Sequence, residues 1–239
     1  LKKKNLAIVA STPKMVNFFL INHMISFSKF YNVTILTNFE GQSDPRSMFP
    51  INVKVHNIPI AREINIFYDI KSFYLLIMYL YREKISIIYS ISPKGGLLSI
   101  TAGWLVCVPV RIPTFTGQVW LTKKGFTRWL LKRMDRITSL LSTVVIIDSP
   151  SQREFLLWNK IVSEKKSLVI GNGSISGVDM ERFYPSKDVR ERLRAEVSIH
   201  SSTIVFLFVG RLKKEKGVLE LINAFAKIPP LKKMSLWFV

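Results

Sequence analysis

Residues Thr203–Val209 are apolar almost throughout and run directly into Gly210-Arg211-Leu212-Lys213-Lys214-Glu215-Lys216-Gly217. A strand without polar alternation fits a parallel sheet covered on both faces. A helical pattern begins near Val218, so the segment reads as strand, tight turn and helix. That order narrows the choice to an α/β fold, where a strand-to-helix junction sits at the carboxyl edge of the sheet and ligands bind. Arg211 and Lys216 stand in the turn. Helix N-terminal amides attract anions, and two cations add to that field. The segment therefore predicts a phosphate or pyrophosphate site. Taken alone, the same residues also fit a solvated basic turn.

The rest of the chain alternates in the same way. Predicted strands are Leu6–Ala10, Val33–Thr37, Val53–Ile58, Ile85–Ser90, Val110–Phe115, Val144–Ile147 and Leu168–Ile170. Predicted helices are Val16–Phe30, Ile64–Tyr81, Leu97–Val106, Lys124–Leu141 and Ser151–Ile161. Asp148-Ser149-Pro150-Ser151 is a helix-start signal, with Ser149 and Ser151 as capping residues first and substrate contacts second. The alternation calls for a parallel sheet with helices on both faces. The first strand leads into Ser11-Thr12-Pro13-Lys14-Met15, which has no glycine-rich loop. This argues against a dehydrogenase-like dinucleotide site. Lys14 and Asn17 read as solvent-facing residues at a helix start. Residues 1–183 form a first domain, 184–202 a linker with a short charged helix, and 203–239 the start of a second domain.

The chain carries a formal net charge of +19, most of it in the first 183 residues. Such an excess implies an anionic partner or surface. Nucleic acid fits the charge alone, but no RNA- or DNA-binding motif is present. Each Lys or Arg near a negative leaflet contributes ~1 kcal/mol of attraction, so an anionic membrane surface fits too. No apolar run reaches the ~20 residues that a bilayer span requires. The start, Leu1-Lys2-Lys3-Lys4, leads into the first strand rather than a cleavable leader. Cys107 is the only cysteine and lies in an apolar run, where core filling is expected. A lone cysteine allows no disulfide within the chain, in keeping with a reducing cytosol. His23, His56 and His200 show no metal spacing, so no metal site is expected.

Four segments in order carry a family resemblance. These are Ser92-Pro93-Lys94-Gly95-Gly96-Leu97-Leu98, Thr114-Phe115-Thr116-Gly117-Gln118-Val119-Trp120, Gly171-Asn172-Gly173-Ser174 with Gly177-Val178-Asp179 and Arg182-Phe183, and the turn at Gly210–Gly217. Together they resemble the family 4 retaining glycosyltransferases, and within them a subgroup that assembles bacterial O-antigen, capsule and lipid-linked oligosaccharides. The resemblance covers nearly the whole chain. It implies the GT-B fold, with a complete Rossmann-like acceptor domain followed by the first βαβ portion of a Rossmann-like donor domain.

The resemblance also implies roles. Gly210, Arg211, Lys216 and Gly217 match positions that hold the donor diphosphate. Lys94, Gly95, Gly96, Thr116, Gly117, Gln118, Ser174 and Asp179 match the acceptor side and interdomain cleft. Gly95 and Gly96 fit a loop approaching the acceptor and a plain helix-start turn equally well. Many family members have a histidine where this chain has Thr116, so no histidine is expected in the chemistry. The implied donor is a nucleoside-diphosphate sugar, UDP-linked, with no further cofactor. The implied acceptor is a lipid-linked oligosaccharide or polysaccharide, and the implied location is the cytoplasmic face of the bacterial membrane. The family's base pocket and pair of glutamates have no match before Val239, and Glu215 and Glu220 cannot stand in for them. On the resemblance, then, this stretch is a truncated transferase, inactive by itself and with the helix face Leu219/Ile222/Phe225 partly uncovered. A non-catalytic membrane-surface or partner-binding role is the alternative.

Overall fold

The computed structural model describes residues 3–40, 45–49, 53–61, 65–229 and 233–239. The chain divides into two units, Leu1–Gly177 and Val178–Val239.

In the first unit, β1 (Lys4–Ala10), β2 (Tyr31–Thr37), β3 (Lys54–Asn57), β4 (Ile87–Ser90), β5 (Val110–Phe115), β6 (Val145–Ile147) and β7 (Ser167–Leu168) form one sheet. Its order is β3-β2-β1-β4-β5-β6-β7, and every pairing is parallel. The carboxyl ends of all seven strands therefore share one edge. The sheet grows outward in opposite directions from β1 and β4, which makes their junction the topological switch point. The central strand is buried from Leu6 to Ala10, as its unbroken apolar run requires.

The helices are α1 (Pro13–Phe19), α2 (Ile21–Phe30), α3 (Ile66–Arg82), α4 (Pro93–Leu105), α5 (Gly125–Leu141) and α6 (Pro150–Trp158). Val16, Leu20 and Met24 pack with Ile8 and Ile35 in one core. Leu76, Leu80 and Ile100 pack with Val9, Leu36 and Ile88 in another. Trp120, Val145, Ile147 and Leu156 form a third beneath α5 and α6. The face α4 turns inward is small: Gly95, Gly96, Ser99, Ala102 and Gly103 are buried. A Cβ on Gly103 would overlap Ile88 Cδ1, so this helix sits closer to the sheet than a larger residue permits.

The expected helix Val16–Phe30 is two helices. It starts at Pro13 and breaks at Leu20, whose backbone leaves the helical region (φ −123°, ψ 8°) while its side chain stays fully buried. Ile64, the expected start of the third helix, lies outside the described residues.

Cys107 does not fill the core. It is exposed, with φ +56°, at the end of α4. Its amide donates to the Trp104 carbonyl (3.2 Å) and the Val108 amide to the Gly103 carbonyl (2.7 Å). This pair of bonds is a Schellman motif, and Cys107 occupies the left-handed position that glycine usually takes. Lys84, Lys160 and Ser198 end their helices with the same pairing and the same positive φ.

The second unit holds α7 (Lys187–Glu196) and a single βαβ turn: β8 (Ile204–Phe208), α8 (Val218–Ala226) and β9 (Met234–Phe238). The two strands are parallel. Phe225 of α8 meets Phe206 of β8 edge to face, with ring centroids 5.8 Å apart. Leu219 and Ile222 remain 52% and 43% exposed, as expected for a helix face with partial cover.

Candidate functional site

At the switch point the loops after β1 and β4 are tied together. Ser11 Oγ donates to Ser92 Oγ (2.8 Å), and Ser92 Oγ accepts from the Gly95 amide (3.2 Å). Ser92 thus caps α4 ahead of Pro93 at its first position, a Ser-Pro helix start. Gly95 and Gly96 face inward here. A Cβ on Gly95 would overlap Ser92 Oγ, and one on Gly96 would lie 3.4 Å from Ser90 Oγ. Packing at the helix start thus restricts what side chain either position can carry. Lys94 is mostly buried and pairs with Asp69 of α3 at 2.7 Å. Its charge is therefore met within the protein.

The loop after β5 has an anchored base and an open tip. Trp120 is fully buried, stacks on Phe155 (5.6 Å) and donates Nε1–H to Asp135 Oδ2 (2.8 Å). The Arg128 and Lys132 cations lie 5.7 and 5.4 Å from its ring centroid. Burial pushes the Asp135 carboxyl up to about 6, against the opposing Trp120 hydrogen bond. Gln118 is buried as well, and its Oε1 accepts from Gln152 Nε2 (3.4 Å). Between the Phe115 strand end and this anchor, Thr116 and Gly117 are exposed.

Gln152 also links this loop to the next strands. Its Oε1 accepts from the Asp148 amide (3.1 Å), while its own amide donates to Ser149 Oγ (3.2 Å). The Asp148 carbonyl accepts from the Ser174 amide (2.7 Å). Gly173, at φ +101°, passes so close that a Cβ would overlap the Asp148 carbonyl. Gln118, Gln152, Asp148 and Ser174 thus form one continuous chain across the ends of β5, β6 and β7. Sequence reading missed Gln152 and Asp148 as members. The signal was there: Ser149-Pro150-Ser151-Gln152 has the capping-box pattern, although the glutamine accepts from the Asp148 amide, one residue before the cap.

Beneath this chain lies a cavity of about 60 Å³ lined by His23, Tyr89, Ile146, Ile147, Gly173 and Ser174. Burial lowers the His23 pKa and raises that of Tyr89, so both stay neutral there. The cavity is far smaller than the ~300 Å³ of a ligand pocket. A cavity of about 560 Å³ lies elsewhere, between β3 and the second half of α3, lined by His56, Tyr79 and Arg82 among others. It is not at the carboxyl edge.

Asp179 belongs to the second unit. Its carboxylate is exposed and accepts from the Glu181 and Arg182 amides, each at 3.1 Å, closing a local turn. In the same unit, a short 3₁₀ turn over Lys214–Lys216 carries the chain from β8 to α8. Gly217 stands before α8 at φ +75°, a conformation that favours glycine, and gives the helix no side-chain cap. Arg211 and Lys216 are exposed on this turn. Among the described residues, neither side chain makes an ion pair or hydrogen bond. Uncapped helix amides beside two exposed cations can receive a phosphate. Among the described residues, no group of three or more His, Cys, Asp or Glu converges as metal ligands would.

No protein-family model matches the chain. It is 33% identical over 174 residues to the Staphylococcus aureus capsular polysaccharide biosynthesis glycosyltransferase CapM, covering 73% of this chain and 45% of that protein. It is 28% identical over 178 residues to the Escherichia coli UDP-Gal:alpha-D-GlcNAc-diphosphoundecaprenol alpha-1,3-galactosyltransferase, covering 72% and 44%. The chain thus matches less than half the length of either relative. Its fold is similar to that of Anabaena HepE, solved with UDP and glucose (TM-score 0.70, 15% identity, 99% of this chain and 61% of that one). With the sheet, its switch point and the second βαβ turn already in view, these likenesses show a fold of GT-B type, in a chain that is similar over almost three quarters of its length to bacterial glycosyltransferases.

Proposed function

We propose that the chain provides the acceptor-side unit and the donor-phosphate turn of a retaining family 4 glycosyltransferase. The reaction moves a sugar from a nucleoside-diphosphate sugar, UDP-linked, to a lipid-linked or polysaccharide acceptor in bacterial surface-polysaccharide synthesis. The acceptor is presented at an anionic membrane surface on its cytoplasmic side. The single observation that carries this reading is the similarity to the capsular transferase over 174 residues. Arg211 and Lys216, exposed and without a partner among the described residues, stand beside the uncapped start of α8 and agree with it.

The chemistry asked of that turn is electrostatic. As the anomeric carbon–oxygen bond breaks, negative charge builds on the departing diphosphate. Arg211, Lys216 and the first amides of α8 oppose that charge most strongly at the moment of cleavage. Each charge-assisted hydrogen bond contributes ~1.5–3 kcal/mol. Two such contacts correspond to a roughly millimolar dissociation constant for the diphosphate part alone. In the first unit, Thr116 and Gly117 offer an exposed tip on a fixed base, with Ser174 on the neighbouring loop. These are the groups proposed to meet the acceptor.

Ligand-observed NMR with UDP, uridine and inorganic pyrophosphate tests the donor half. UDP and pyrophosphate are expected to bind and uridine not to. Equal binding of uridine and UDP would overturn the phosphate role of the turn.

A further inference from the structure

The outer face of α5 combines aromatic, aliphatic and cationic side chains in one stripe. Phe126, Trp129, Ile137 and Leu140 are 72, 52, 45 and 63% exposed. At 3.6 residues per turn these positions project from the same side of the helix. The Phe126 and Trp129 rings stack at 5.6 Å, and Arg133, in the middle of the stripe, places its guanidinium 5.4 Å from the Trp129 centroid. Arg128, Lys132 and Arg136 lie alongside, and Lys123 and Lys124 precede the helix. The only acidic residue of α5, Asp135, is turned inward to Trp120. The exposed charge of this helix is therefore wholly positive.

A soluble helix does not gain stability by showing two stacked aromatic rings to water, so the stripe calls for an occupant. Charge decides which. A second copy carries the same net charge of +19 and would set the same cationic face against this one. An anionic bilayer interface receives both halves of the pattern: rings and aliphatic chains enter the headgroup boundary, while Lys and Arg heads stay at the phosphate level.

We infer that α5 lies in the plane of an anionic membrane surface, with Phe126 and Trp129 inserted and its arginines on lipid phosphates. This deepens the reading of a membrane-presented acceptor and rests on it. It also fixes an orientation. The segment entering α5 is the one whose tip is Thr116–Gly117 and whose anchor is Trp120, which Arg128 and Lys132 cover. Docking α5 therefore brings the open tip of the carboxyl edge towards the lipid surface.

The test is co-sedimentation of the whole chain with vesicles of equal parts phosphatidylglycerol and phosphatidylcholine, and with phosphatidylcholine alone. The unaltered chain is expected to bind the anionic vesicles and to release in high salt. Phe126→Ser with Trp129→Ser should lower that binding by at least about tenfold. Arg133→Gln with Arg136→Gln should lower it roughly tenfold. Phe67→Ser on α3, a residue 86% exposed, should leave it unchanged. All five positions are exposed, and unchanged melting curves establish that the variants fold. Anionic binding that survives both α5 pairs, or falls equally with Phe67→Ser, overturns the assignment of α5 and leaves the membrane reading standing. No binding by the unaltered chain overturns both. Self-association that Trp129→Ser abolishes would make the stripe a contact between copies instead.

Discussion

The two units use the same grammar of strand, helix and parallel strand, yet they differ in what that grammar achieves. In the first, seven strands and six α-helices among the described residues enclose three cores, and Ile8, Leu36, Leu76 and Ile88 are completely shielded from water. In the second, no described residue is fully buried, and Leu207 and Val209 of the best strand pattern are 58% and 72% exposed. A βαβ turn is specified locally, but burial is collective. Among the described residues, β8 and β9 pair only with each other, and α8 packs on one face. The comparison also separates function. The loops proposed to meet the acceptor are held by buried groups such as Trp120 and Gln118, whereas the turn proposed to hold the diphosphate carries its cations on an exposed surface.

The largest test of this contrast is a pair of truncations. Leu36→Ala in the first unit should cost ~2–5 kcal/mol, the range for a fully buried leucine. Ile222→Ala in the second should cost under about 1 kcal/mol. Denaturant unfolding measures both, and similar losses would break the distinction.

Next in size is the pH dependence of the anchored loop. Asp135 has its carboxyl raised from 3.8 to about 6. The folded state therefore holds a proton that the unfolded chain has released. This contribution is complete below about pH 4 and is lost as pH rises through 6, by about 3 kcal/mol. Asp135→Asn keeps an acceptor for Trp120 Nε1–H and removes the titration. It should flatten the difference between pH 4 and 6 and leave the first unit more stable at pH 7. A variant whose stability follows the same pH curve as the unaltered chain would refute the burial of that charge.

The smallest effect uses a motif that both units share. Cys107 and Ser198 end helices in the left-handed region at φ +56° and +54°. Removing the Cβ relieves a strain of roughly 1 kcal/mol. Cys107→Gly should raise the main melting transition by a few degrees, while Ser198→Gly should leave it in place. A shift of the main transition by both would mean that the units melt as one.

Much of the first unit was legible because a covered parallel sheet writes itself as short apolar runs between helical patterns. Val110–Phe115 agrees to the residue and Ser149 caps its helix as expected, whereas α4 starts at Pro93, ahead of the predicted start at Leu97. The break at Leu20 was not legible, since neither glycine nor proline marks it and the cause is a leucine drawn into the core. Cys107 misled for a related reason: an apolar run says nothing about which member sits at a helix end in the left-handed region. The Lys94–Asp69 pair and the Trp120–Asp135 bond join residues from different elements, so no local pattern announces them. The exposure of Arg211 and Lys216 on the turn from β8 to α8 was legible because the strand-turn-helix order could be read from the apolar pattern.

The most direct measurement is the affinity of UDP for the unaltered chain and for Arg211→Ala with Lys216→Ala, read by ligand-observed NMR. If the turn holds the donor diphosphate, the unaltered chain binds UDP at a roughly millimolar constant and the double variant loses detectable binding. UDP binding of equal strength in the two proteins would contradict the donor role of the turn.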